Sequence, residues 1–186
     1  MRRSSKNAIL LLSVFLLVVL AAAFWSTRHF PALVFGGEDS VGTWVSGTML
    51  TIMATICMVI SIRERWYPWV FLTIFFLLLS VDERFMLHEQ LKQHIIFSSG
   101  TDSRWFYELP VIAGALAGMF VAFVLWRNLK WEGRVLLLIA VLFGLASVVI
   151  DIAAAGVFWE ECCKLLAELA MVSGLVGRVG ATKIPI

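Results

Sequence analysis

Six apolar runs, at residues 8–25, 41–62, 69–88, 109–126, 135–158 and 162–177, dominate this 186-residue chain. Most approach the twenty or so residues that a helix needs to cross a hydrocarbon core. In lipid a backbone must satisfy its own hydrogen bonds, which makes helices the default. A β-barrel would need short alternating strands, and the sequence has none. Composition agrees, with 61% hydrophobic and 15% charged residues against roughly 45–50% apolar in a soluble domain. The sequence therefore predicts an all-α, polytopic bundle of six transmembrane helices in one domain, with both termini cytoplasmic.

The first run follows a basic start, Met1-Arg2-Arg3-Ser4-Ser5-Lys6-Asn7. Its length favours a retained helix over a cleaved signal peptide, although Ala21-Ala22-Ala23 resembles a cleavage site. The second run carries Thr43, Ser46, Thr48, Thr51 and Thr55, small hydroxyl residues that suit helix-on-helix packing. In the fourth, Pro110 suits a first helical turn, and Gly114 with Gly118 predicts a close helix contact. Trp159-Glu160-Glu161 reads as a tight connection or kink before the last span. Cys57, Cys162 and Cys163 make no disulfide framework. No phosphate loop, dinucleotide-binding glycine pattern or zinc-ribbon spacing occurs. The dispersed basic residues argue against nucleic-acid binding.

Charge gives the orientation. With the N-terminus inside and six alternating spans, ten of the fifteen Lys and Arg fall on the inner side. This is the positive-inside bias expected of a bacterial cytoplasmic (inner) membrane protein. Eleven of the thirteen acids, and His29, His88 and His94, fall in the outer half, facing the periplasm or exterior. Acids contribute little to orientation, so their accumulation wants its own cause.

The third run ends Asp82-Glu83-Arg84-Phe85-Met86-Leu87-His88-Glu89, five ionisable residues in eight. Each costs about 2.5–3.5 kcal/mol at a helix centre on the insertion scale. Asp151 and Glu168 lie inside the last two runs. Helix rise puts Asp82, Asp151 and Glu168 each about 9–10 Å below the outer boundary. Asp82 and Glu89 are seven apart, so they share a face; Glu161, Lys164 and Glu168 share another. If these faces meet, carboxylates line one outward-opening cavity. Asp82, Glu83, His88, Glu89, Asp151, Glu161 and Glu168 are then candidate ligand- or metal-binding residues. Lys164 and Arg84 would be counterions, Lys164 alternatively a general acid.

Excess negative charge there would need a metal ion, protons or a cationic ligand. A metal reading takes Asp82, His88, Glu89, Glu161 and Glu168 as ligands to a divalent Fe, Mn or Zn. Its spacing is poor, because the chain lacks the Glu-x-x-His pairs of dinuclear bundle sites. A proton- or cation-coupled transporter needs only buried carboxylates and a basic neighbour, yet the inner half offers almost no ionisable groups. The structural account is an accessory or scaffold subunit, in which Asp82 or Glu168 pairs with Arg84 and Lys164 to fix helix register. Partners under these readings are the lipid bilayer and other membrane subunits or a second copy of the chain.

The pattern Asp82-Glu83-x4-His88-Glu89, with Glu160-Glu161-x2-Lys164 entering the last span, resembles a group of uncharacterised multi-pass bacterial inner-membrane proteins. The resemblance covers the third to sixth helices and implies the fold and location, not an activity. The chain departs from membrane hydrolases of the ceramidase and progestin-receptor type, which hold zinc with intramembrane Asp and His. It has three histidines and no late His-x3-His pair.

Overall fold

The computed structural model describes residues 14, 21, 41–87, 90–91, 94, 104–153 and 157–179. Apart from residues 14 and 21 the expected first span lies outside them, as do the loop at 26–40 with His29, His88, Glu89, the turn near 98–102 and residues 180–186. The described residues are helical, without strands. Five long helices follow in order: α1 Val41–Glu64, α2 Tyr67–Phe85, α3 Arg104–Asn128, α4 Trp131–Ile152 and α5 Val157–Val179. Residues 87, 90, 91 and 94 are also helical.

Helices α1 and α4 are long and apolar enough to cross a membrane, and α3 has a shorter apolar stretch, Ile112–Asn128. Ionisable residues interrupt the others. Helix α2 carries Asp82, Glu83 and Arg84 near its end, and α5 carries Glu160, Glu161, Lys164, Glu168 and Arg178. Large apolar side chains point outward from α2, α3 and α4, among them Leu78, Leu116, Phe123, Leu142 and Val149. Apolar faces of that extent mark contact with lipid or protein.

The helices form an arc in which α2 packs on α1, α1 on α5, α5 on α4 and α4 on α3. Phe71 of α2 and Phe120 of α3 meet edge to face, 5.9 Å between ring centroids. Met53, Cys57 and Ile60 of α1, Trp69 and Leu72 of α2, Leu125 of α3, Leu137 of α4, and Leu165 and Leu175 of α5 form the core. One end is tied by an ion pair from Arg178 to Glu64 at 2.8 Å, and Trp69 Nε1 donates to the same carboxylate at 3.2 Å. Sequence reading did not single out this tie between α1, α2 and α5.

Several boundaries differ from the expectation. The run at 135–158 is not one helix: α4 stops at Ile152, capped by Ala153, and Val157 to Trp159 begin α5. Apolarity continues through this break, so hydropathy alone hides it. Glu160 and Glu161 consequently sit in the first turns of α5, not in a connection. Asp151 lies within the last turn of α4, next to its final residue and not two turns down. Glu168 is eleven residues into α5. At the rise of an α-helix that is about 16 Å along the axis. The three acids therefore do not share a helical depth.

Helix α2 ends at Phe85, not near His88, because Met86 adopts the left-handed region at φ 48°. That break separates Asp82 from Glu89, so their spacing of seven no longer implies a shared face. Helix α3 begins at Arg104, which puts Pro110 beyond the first turn.

Close approaches come from glycines other than the expected pair. Gly114 and Gly118 have no atom within 4 Å of a built Cβ. Instead, Gly133 of α4 faces Gly174 of α5: a Cβ at Gly174 would lie 3.4 Å from the Gly133 carbonyl oxygen. Gly174→Leu should therefore lower stability by about 1–3 kcal/mol through overpacking, read as a lower melting temperature in lipid nanodiscs. Gly174→Ala, whose Cβ fits and which favours the helix, should be near neutral. An unaffected Gly174→Leu would contradict this contact.

Candidate functional site

The site begins with hydroxyl residues of α1. Ser46 is fully buried and donates its Oγ–H to Glu168 Oε1 at 2.6 Å, joining α1 to α5. One turn further, Thr51 and Ser80 lie within hydrogen-bond distance at 2.9 Å, and Ser80 Oγ donates to the Gly47 carbonyl at 2.9 Å. These bonds hold the last turns of α2 beside the start of α1. Thr48 and Thr55 instead bond backbone carbonyls of α1 itself.

Lys164 lies one turn before Glu168 on α5. Its ammonium donates to Glu83 Oε1 of α2 at 2.7 Å and to Glu161 Oε1 at 2.6 Å. Both carboxylates are largely covered, their side chains 15% and 12% exposed. The cation thus bridges α2 and α5 and compensates acids that would be costly to cover alone. Arg84 takes another place, its guanidinium stacked 4.2 Å from the Trp44 ring centroid. The expected pairing of Lys164 with Asp82 or Glu168 is replaced by Glu83 and Glu161. Sequence spacing could find the Glu161 partner, three residues away, but not the Glu83 partner on another helix.

A cavity of about 390 Å³ runs between the five helices, a size typical of small-molecule sites at about 300–1,000 Å³. Asp82, Asp151, Glu160, Lys164 and Glu168 all line it. Of the sequence candidates, it brings together Asp82, Asp151, Lys164 and Glu168. Glu160, outside that candidate set, joins them. Glu83 and Glu161 stand behind Lys164, Arg84 stands over Trp44, and His88 and Glu89 lie outside the described residues. Along α4 the lining runs from Asp151 to Ala140, and along α5 from Glu160 to Met171. Each stretch covers about 16 Å by helix rise. These helices are antiparallel, since Gly144 lies beside Ala167 and Gly133 beside Gly174. One end is therefore rich in ionisable groups, and the other is lined by residues such as Met53, Phe75 and Ala122.

Glu168 is 9% exposed, and its Oε2 has no hydrogen-bond partner among the described residues. Glu161 Oε2 is in the same condition. Buried polar atoms are nearly always bonded, so such exceptions need a reason. Glu168 differs from Glu161 in that it lines the cavity. Among the described residues, no three His, Cys, Asp or Glu side chains are grouped so as to hold a metal ion. The described side chains can accept hydrogen bonds and stabilise positive charge.

The chain matches, over residues 8–179, the family model described as "Domain of unknown function (DUF8692)", and it belongs to that family. No curated protein matches it, and no solved structure does.

The bridge predicts a coupling. Lys164→Met leaves Glu83 and Glu161 covered without their cation and should cost about 3 kcal/mol. Adding Glu83→Gln should recover part of that loss, because only one charge then remains uncompensated. A double-mutant cycle on thermal melting measures this; strictly additive losses would show that the two side chains do not interact.

Proposed function

We propose that this chain is a six-span protein of the bacterial inner membrane, termini cytoplasmic, that binds a small cationic or polar ligand in an outward-facing carboxylate pocket. The observation that carries this reading is Glu168. Its carboxylate is buried in a mostly apolar bundle, one oxygen is held by Ser46, and the other has no donor among the described residues while the side chain lines a cavity. A purely structural carboxylate would be expected to use both oxygens, since an unmet acceptor costs about 1–3 kcal/mol or more. A ligand bearing N–H or O–H groups supplies that donor, and an ionised Glu168 favours a positive one.

The basic end, with Arg127, Lys130, Arg134 and Arg178, fits the cytoplasmic side under the positive-inside bias. The end with Asp82, Asp151 and Glu160 then faces outward. Helices α2 and α5 would span with their ionisable residues turned to the interior, as intramembrane charges generally are.

A second reading has one observation in its favour: the Lys164 bridge pins α2 to α5, which is how a scaffold would use its charges. Glu168→Gln in lipid nanodiscs separates the two. The amide keeps an acceptor for Ser46, so stability should fall by less than about 1 kcal/mol. n-Butylamine should raise the melting temperature of the native chain by mass action and have no effect on Glu168→Gln. A scaffold gives the reverse: a marked loss of stability in Glu168→Gln, and no response to the amine in either protein.

A further inference from the structure

The cavity has two chemically different ends, and a small polar ligand would use only one. Toward the first, Asp82, Asp151, Glu160 and the Lys164 ammonium line the wall, and Glu168 follows about 12 Å beyond Glu160 along α5. Lys164 already donates to Glu83 and Glu161. At the other, Met53, Phe75, Gly118, Ala122, Val141 and Met171 form an apolar wall. A purely polar occupant would leave this part without contacts, since apolar cavities do not hold water well. Methionines there adapt to flexible apolar chains. Gly118 has open space where a side chain would begin.

We propose that the occupant is a single-chain amphiphile with a primary ammonium head and an unbranched hydrocarbon tail. The inference rests on the pocket reading above and names its ligand class. The head donates an N–H to Glu168 Oε2, where the carboxyl-lined stretch of the wall meets the apolar one. A quaternary ammonium carries the charge but no donor, so it leaves that oxygen unmet. The tail runs toward Met171 and Ala122, along the apolar part of the lining on α3, α4 and α5.

The test is equilibrium binding of n-decylamine, n-butylamine and decyltrimethylammonium to the full chain in lipid nanodiscs, corrected for uptake by protein-free nanodiscs. Decylamine should bind at least about tenfold more tightly than butylamine, because burial of each added methylene contributes. It should also bind about tenfold more tightly than the quaternary probe, which lacks the charge-assisted hydrogen bond. Gly118→Leu fills the apolar end and should weaken decylamine about tenfold, with butylamine within about twofold of the native value. Ala122→Leu is read the same way if Gly118→Leu does not fold. Glu168→Gln should weaken both amines about tenfold.

Butylamine binding as tightly as decylamine, or filled-cavity variants without effect, would overturn the amphiphile while leaving the acidic pocket standing. A quaternary probe equal to decylamine would overturn the hydrogen-bonding head. Binding unchanged by Glu168→Gln, or no binding of any probe, would overturn the pocket reading itself.

Discussion

The hydrogen bond from Ser46 to Glu168 places a carboxylate where the surroundings give it little else. In water such a group is solvated on both oxygens; inside a bundle every missing partner has a cost. The sequence compensates the neighbouring acids internally, because Lys164 satisfies one oxygen each of Glu83 and Glu161. Glu168 receives a single neutral donor. The difference between these two treatments, one turn apart on the same helix, gives the site its character. Lys164 acts as a clasp between helices, and Glu168 keeps an accepting atom beside a cavity.

The fold supplies the geometry for both. Short connections make α1–α2 and α4–α5 tight antiparallel pairs, and α1 on α5 joins the pairs. Gly133 against Gly174 lets α4 and α5 backbones approach at one end. Beyond that contact, small residues such as Gly114, Gly118 and Gly144 border the cavity instead of closing it. The same residue type therefore serves two purposes, close contact in one place and space in the other. Arg178, Glu64 and Trp69 tie the end remote from Lys164, so the arc is pinned by an ion pair near each end.

Periodicity and apolar length made the helical character legible. Hydropathy failed where it had no contrast to work with. The break between Ile152 and Val157 lies in apolar sequence, and the left-handed turn at Met86 carries no glycine to announce it. Those two breaks moved Asp151 toward a helix end and separated Asp82 from Glu89. Asp82, Asp151 and Glu168 nevertheless border one cavity, because antiparallel packing brings the end of α4 and the start of α5 together. Helix spacing could reveal the pairing of Glu161 with Lys164. Contacts between helices, such as Ser46 with Glu168 or Glu83 with Lys164, depend on rotation and register, which one sequence does not encode locally.

The central claim is that Glu168 offers an unpaired oxygen to a ligand-sized space. An experimental density map of the native chain in lipid nanodiscs containing decylamine tests it most directly. The account predicts an open cavity with ligand density about 3 Å from Glu168 Oε2, hydrogen-bond distance, continuing toward Met171. A cavity closed by repacked helices, with both Glu168 oxygens bonded to protein groups, would contradict it.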